Sequence, residues 1–109
     1  MSSSDKVALN IFFHLTGKPG KDSELRALLG EMTSVSRLDD GCIGYTFHQQ
    51  KNDPRQLLLH EQWRDRAALD AHVAHMKSLF GAPPPNARLP ARLHELSESC
   101  RAAFYDQLG

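Results

Sequence analysis

The stretch from Asp39 to Met76 constrains the fold most, because it contains two strand patterns and one helix pattern in immediate succession. In the first pattern, residues 42–50, side chains alternate along the chain, with Ile43, Tyr45 and Phe47 on one predicted face. This two-residue period is typical of a strand. An Asn-Asp-Pro sequence follows and predicts a turn.

The second strand pattern, residues 56–63, carries apolar side chains on both predicted faces, which is typical of a central strand. Asp65 comes next and can cap a helix. From there, apolar residues and one histidine recur at helical spacing: Ala68, Leu69, His72, Val73, Met76, Leu79 and Phe80. A helix that begins so soon after the strand must fold back over the sheet.

The flanking segments predict the remaining elements. Residues 7–15 are apolar on both faces and predict a second central strand. Asp22 or Ser23 caps a helix that carries one apolar stripe: Leu25, Leu28, Leu29, Met32, Val35 and Leu38. Residues 89–96 predict a short third helix. Residues 100–108 alternate as in an edge strand, although a helical continuation is an open alternative.

This order predicts an α+β fold, a ferredoxin-like β-α-β-β-α-β plait with a four-stranded antiparallel sheet. The first and third strands would be central neighbours, and both long helices would cover one face. The other face would then leave apolar side chains exposed, so we expect two copies to pair through their sheets as a homodimer. We expect a single domain over residues 1–109, with residues 1–6 disordered.

Composition excludes several classes of partner. The 109 residues include 13 basic and 13 acidic side chains, so no charge excess favours nucleic acid or an anionic membrane. No apolar run approaches the ~20 residues of a membrane span, and the first residues lack the apolar core of a signal peptide. We therefore expect a cytoplasmic protein in which Cys42 and Cys100 are buried thiols rather than a disulfide.

Three residues are candidates for a shared pocket. Asn10 lies within a largely apolar strand, where an amide without partners would cost a few kcal/mol. Because its strand neighbours the third strand, Asn10 and Trp63 can face the same pocket, and the following helix brings His72 back over it. We predict that these residues line one cavity between the sheet and the second helix. The alternative is a core asparagine bonded to backbone, a core tryptophan and a surface histidine.

Two further residues could take part in chemistry. Glu61 shares a strand face with the tryptophan, and a buried carboxylate there would have a raised pKa and could act as a base. A salt bridge with Arg64, Arg66 or another arginine is the alternative. His75 lies three residues beyond His72, on an adjoining helix position. The sequence places no carboxylate or thiol to complete a metal site, so we expect none.

Several of these motifs together resemble a known family. They are the segment Asp40-Gly41-Cys42, Tyr45 before a hairpin, the pair Glu61-x-Trp63, and the dipeptide Ala68-Leu69 shortly before His72. The chain is similar in these positions to the antibiotic biosynthesis monooxygenase family of small dimeric α/β barrels, and the flanking elements extend the resemblance over nearly the whole chain.

The resemblance implies roles for particular residues. Asn10 would hold an oxygenated group, Trp63 would shape the pocket, and His72 would act as a base or a ligand. The expected substrate-binding residues around this catalytic set are Phe12, Tyr45, Glu61, His75 and Met76.

Missing motifs narrow the expected reaction. The sequence contains no Gly-rich phosphate loop, no Gly-x-Ser-x-Gly elbow and no Cys-x-x-Cys pair. With the resemblance, this predicts a cofactor-independent monooxygenase in which a quinol or polycyclic phenol supplies the electrons to dioxygen. We expect no cofactor, and a small aromatic substrate as partner. The alternatives are a haem-binding or haem-degrading enzyme and a non-enzymatic, small-molecule-binding stress-response dimer.

Overall fold

The computed structural model of the protein describes residues 8–109, so the predicted disorder of residues 1–6 lies outside the described part. Seven elements follow one another: β1 (Leu9–Gly17), α1 (Asp22–Ser36), β2 (Cys42–Gln50), β3 (Asp53–Trp63), α2 (Arg66–Phe80), α3 (Ala91–Glu95) and β4 (Ser97–Tyr105). The predicted ferredoxin-like β-α-β-β-α-β order with a four-stranded antiparallel sheet is confirmed.

The sheet has the strand order β2-β3-β1-β4, so β1 and β3 are the central neighbours, as predicted. Their register pairs Leu9 with Trp63 and Ile11 with Glu61. We call the side that the helices bury the covered face; its central members are Leu9, Ile11, Phe13, Leu15, Leu57, Leu59, Glu61 and Trp63. The other side is the open face; its central members are Asn10, Phe12, His14, Thr16, Gln56, Leu58, His60 and Gln62.

The core lies between the covered face and the helices. The predicted apolar stripe of α1 supplies four buried side chains: Leu25, Leu28, Leu29 and Met32. Helix α2 begins as predicted, since Asp65 Oδ1 accepts a hydrogen bond from the backbone N–H of Ala68 (2.9 Å). Helix α3 and its flanks bury Leu89, Leu93 and Leu96.

Several local predictions are wrong. Helix α1 has Lys21 at its N-cap and no side-chain cap, so neither Asp22 nor Ser23 takes that role. Because α1 ends at Ser36, Leu38 leaves the stripe and is 87% exposed. Ile43 is 56% exposed, because a register irregularity between Cys42 and Gly44 removes it from the face of Tyr45.

The C-terminal segment is a strand, so the helical alternative is wrong, and β4 begins three residues earlier than predicted. Cys42 and Cys100 are both free and each is half-buried. The open face is not the apolar patch that was predicted, since histidine, glutamine and asparagine stand beside Phe12 and Leu58. Within residues 8–109, no helix combines the length and apolar character that crossing a membrane requires.

Candidate functional site

Glu61 is a buried carboxylate near the end of β3. The strand alternation places it on the covered face between Leu59 and Trp63, where its exposed fraction is 2%. Its Oε1 accepts a hydrogen bond from the indole Nε1 of Trp63 at 2.8 Å. Burial raises the pKa of Glu61 to about 7, although this hydrogen bond and the positive charge of Arg88 both lower it. Glu61 can therefore gain and lose a proton near neutral pH.

His72 lies on the buried side of α2, two turns from the helix start, and is 3% exposed. Its ring packs on Trp63 with a centroid separation of 4.3 Å. Its Nδ1 donates to Asp39 Oδ2 (2.9 Å), and its Nε2 lies 3.7 Å from Glu61 Oε1. Burial lowers the pKa of His72, and the Asp39 carboxylate opposes that shift. The imidazole thus stands between two carboxylates in a largely dry setting.

Asp39 joins this group from the loop between α1 and β2. Its Oδ1 accepts a second hydrogen bond, from Nδ1 of His75 at 2.8 Å, so one carboxylate binds both histidines of α2. Asp39 was not among the predicted site residues, because the two histidines that it binds lie 33 and 36 residues further along the chain. The signal that could have found it is the histidine pair, since two imidazoles on adjoining helix positions can share one carboxylate.

Five of the predicted site residues do meet on the covered face. Trp63, Glu61, His72, Tyr45 and Met76 are all buried there, and the ring of Tyr45 lies 5.6 Å from that of His72. Burial, and then the negative charge of Glu61, raise the pKa of the tyrosine well above its usual value. The predicted His75 lies next to this group, half-buried.

The prediction that Asn10, Trp63 and His72 line one cavity is wrong. Trp63 and His72 pack on each other in the core. His72 alone of the three lines the hollow described below, and Asn10 and Phe12 lie on the open face. The register pairs Asn10 with Gln62 rather than with Trp63, so Asn10 lies on the open face. There its amide oxygen accepts a hydrogen bond from Nε2 of His60 at 3.0 Å. Phe12 stacks on the same imidazole, with ring centroids 4.3 Å apart and planes 3° apart. The predicted alternative for Asn10, a backbone bond in the core, is also wrong.

The two alternatives for Glu61 are now distinguished. Arg64 binds Asp40 (3.1 Å) and Asp65 (3.2 Å), and Arg66 lies 3.6 Å from Asp70, so neither pairs with Glu61. Arg88 acts on Glu61 through its positive charge, but the larger effect of burial leaves the pKa of the carboxyl raised.

The side chains between the sheet and α2 fill that space by packing on one another, but a hollow of about 240 Å³ opens beside them. Seven residues line it: Asp39, Asp40, Arg64, Ala67, Ala68, Ala71 and His72. Three alanines give the hollow a small apolar wall, and Arg64, Asp39 and Asp40 give it a charged rim. The hollow can therefore hold a small ring that carries polar groups.

A metal centre has no support among residues 8–109, since no three His, Cys, Asp or Glu side chains there are grouped so that they could hold an ion. Asp39 and the two histidines form hydrogen bonds with one another instead.

The profile of the family named "Antibiotic biosynthesis monooxygenase" matches residues 9–78. Over 55 residues the chain is 42% identical to an uncharacterised protein of Synechocystis sp. and to the protein named "Putative monooxygenase Rv0793" of Mycobacterium tuberculosis. Each alignment covers 50% of this chain, but only 37% and 54% of those proteins, so the match spans about half their length or less.

Solved structures show the same fold. The Rv0793 structure superposes with a TM-score of 0.75 at 28% identity, over 94% of this chain and 97% of that one. A mutant form of SnoaB, a cofactor-independent oxygenase from Streptomyces nogalater, superposes with a TM-score of 0.72 over 92% of each chain. At 15% identity, that second likeness shows the fold alone. The family match covers more than half of this chain and includes Tyr45, Glu61, Trp63 and His72, so the chain belongs to the antibiotic biosynthesis monooxygenase family.

Proposed function

We propose that this protein is a cofactor-independent monooxygenase of quinol or polycyclic phenolic substrates that uses dioxygen. One observation carries the proposal: the buried carboxyl of Glu61 stands 3.7 Å from the imidazole of His72, in a dry setting beside a hollow. A general base works best when its pKa lies near the working pH, and that of Glu61 is raised to about 7.

The task of the protein in such a reaction is limited. The His72–Glu61 pair takes a proton from the bound substrate, and the resulting electron-rich anion reduces dioxygen directly. One oxygen atom enters the substrate, and the other leaves as water together with the two hydrogens that the substrate loses. The protein binds the ring, removes and returns protons, and keeps water away.

The hollow beside His72 is the proposed binding site. Its alanine wall fits a flat aromatic ring, and the imidazole of His72 lines the same hollow, next to the hydroxyl that would lose its proton. The family name and the name of the Mycobacterium tuberculosis relative support monooxygenase chemistry. The Streptomyces nogalater protein is described as a cofactor-independent oxygenase, so this fold is compatible with that chemistry.

The haem alternative has less support from the site. Nδ1 of His72 binds Asp39, and Nε2 points at Glu61 from a side chain that is only 3% exposed, so the packing leaves no open position for an iron next to this ring. Haem titration checks this directly. We expect the parent protein and His72→Ala to give the same Soret spectrum, because His72 does not bind the iron. No feature of the described residues favours the non-enzymatic alternative over an enzyme.

We also propose that two copies pair through their open faces. Phe12, Leu58 and Tyr105 supply apolar surface on that face, while Asn10 and His60 satisfy each other. Sedimentation velocity at several concentrations tests this: a monomer at every concentration would contradict the proposal.

Oxygen uptake with reduced naphthoquinols and anthrones tests the reaction. Uptake should need no added flavin or metal, and Glu61→Gln and His72→Gln should each lower kcat by about 10²- to 10⁴-fold, the range for losing a general base. His48→Gln, which removes an exposed imidazole from β2, is the matched control and should keep full activity. No uptake over a broad panel, or activity that returns only with added metal, would refute the proposal.

A further inference from the structure

We propose that Asp39 and His75 form a proton path that links the buried Glu61–His72 pair to solvent. This inference deepens the proposed function, because it names the route by which the Glu61–His72 pair would release the proton taken from the substrate. Only that catalytic role of the path rests on the proposed function. The path itself is a property of the folded chain and can be tested without any substrate.

Three short contacts make up the path. Glu61 Oε1 lies 3.7 Å from His72 Nε2, and Nδ1 of the same ring lies 2.9 Å from Asp39 Oδ2. The other carboxylate oxygen of Asp39, Oδ1, lies 2.8 Å from Nδ1 of His75. Each oxygen of Asp39 therefore serves a different imidazole.

Exposure rises steadily along these contacts. The side chains of Glu61, His72, Asp39 and His75 are 2%, 4%, 18% and 39% exposed. The 3.7 Å step is the longest, and a small shift of the imidazole would close it to hydrogen-bonding distance. The other two steps already have that distance.

The proton balance along the path is simple. Glu61 gives its proton to His72 Nε2 while the Nδ1 proton of His72 passes to Asp39. The proton reaches Asp39 on Oδ2, and rotation of the carboxyl presents it to Nδ1 of His75. His75, whose Nδ1 donates to Asp39 at rest, accepts this proton after exchange with water has moved its own hydrogen to Nε2, and that Nε2 then releases a proton to water. One proton leaves Glu61, one reaches solvent, and no charge remains in between.

Other ionisable groups around the pair do not offer an equivalent route. Tyr45 and Cys42 face Glu61 from β2, and burial raises the pKa of each, so both keep their protons near neutral pH. Arg88 contributes a positive charge to Glu61, and Arg37 contributes one to Cys42. Both guanidiniums stay protonated, so neither relays a proton.

Trp63 provides a direct readout, because it is the single tryptophan of the chain and its Nε1 donates to Glu61 Oε1. Its fluorescence should follow the charge of Glu61, and the relaxation after a laser-induced pH jump should report how fast that proton moves. The infrared carboxyl band that disappears in Glu61→Gln reports the same event independently.

We expect His75→Gln to slow this relaxation by about tenfold or more. This is less than the roughly 10²- to 10⁴-fold loss of rate that removing a general acid or base causes. Glutamine can still donate to Asp39, so the fold should persist, and imidazole in the buffer should restore the rate. Asp39→Asn should be slow as well. His48→Gln is the matched control and should relax like the parent protein.

Two results would overturn the path: an unchanged relaxation rate in both His75→Gln and Asp39→Asn, or a slow rate in His75→Gln that imidazole does not restore. Oxygen uptake is scored separately. If the relaxation behaves as expected but no quinol is oxidised, the path stands and the proposed function fails.

Discussion

The two faces of the central strands β1 and β3 place their polar side chains in different environments, although both faces come from the same alternating strands. On the covered face, Glu61 accepts a hydrogen bond from Trp63 and lies 3.7 Å from His72, and burial raises the pKa of its carboxyl to about 7. On the open face, Asn10 is 9% exposed and binds His60, which is half-buried and stacks on Phe12. A shift of one residue along a strand therefore separates the titrating carboxyl of Glu61 from the hydrogen-bonded pair on the open face.

This contrast explains why a polar residue in a strand is ambiguous as a functional signal. A polar group opposite helices must find partners in a dry core, and its protonation responds to burial. A similar group on the other face can be satisfied by its cross-strand neighbour or by water. Substitutions on the two faces should therefore differ in kind as well as in size.

The largest expected effect is on the free energy of unfolding, when an aromatic side chain is removed from each face. Trp63→Ala should lower the free energy of unfolding by about 3–5 kcal/mol, because it leaves a cavity under His72 in a fully buried region. The matched change on the open face, Phe12→Ala, should cost only about 1 kcal/mol, since Phe12 is half-buried. Urea unfolding followed by circular dichroism measures both. Equal losses at low protein concentration would contradict the contrast.

The second prediction concerns pH. In the unfolded chain Glu61 titrates near 4.5, and in the folded protein near 7, so the folded state binds the proton more tightly. Glu61 therefore costs no stability below pH 4.5, and its cost grows as the pH rises to about 7 and then stays constant. Over that window the protein should lose roughly 3 kcal/mol relative to Glu61→Gln.

Urea unfolding of both proteins between about pH 4 and pH 8 measures this difference, and subtracting the two curves removes the groups they share. Two curves that run parallel over the whole range would show that Glu61 titrates normally.

The smallest effect is expected at Asn10. Asn10→Ala removes a single hydrogen bond to His60, so it should cost about 1 kcal/mol and leave the midpoint of the Trp63 fluorescence titration unchanged. Its effect should fall on pairing of the open faces, seen as weaker self-association in sedimentation. A shifted titration midpoint would mean that the two faces communicate through the sheet.

Much of the fold could be predicted from the sequence. Period-two alternation placed β2 at residues 42–50, and Asp65 marked the start of α2, because both signals depend on neighbours along the chain. The site was predicted in part: Glu61, Trp63 and His72 follow from the strand face and from the helix that recrosses it. Asp39 and the true place of Asn10 could not be predicted, since each depends on residues far away in the sequence.

Local backbone geometry determines which residues share a face within each strand and helix, so the amino-acid order alone was enough to assign those faces. Which residues stand opposite one another across two strands was decided by tertiary packing. The pairing of Leu9 with Trp63, and not of Asn10 with Trp63, is set by how the whole sheet packs against α1 and α2. For the same reason, the meeting of Asp39 with His72 and His75 exists only after the α1–β2 loop has been brought against α2.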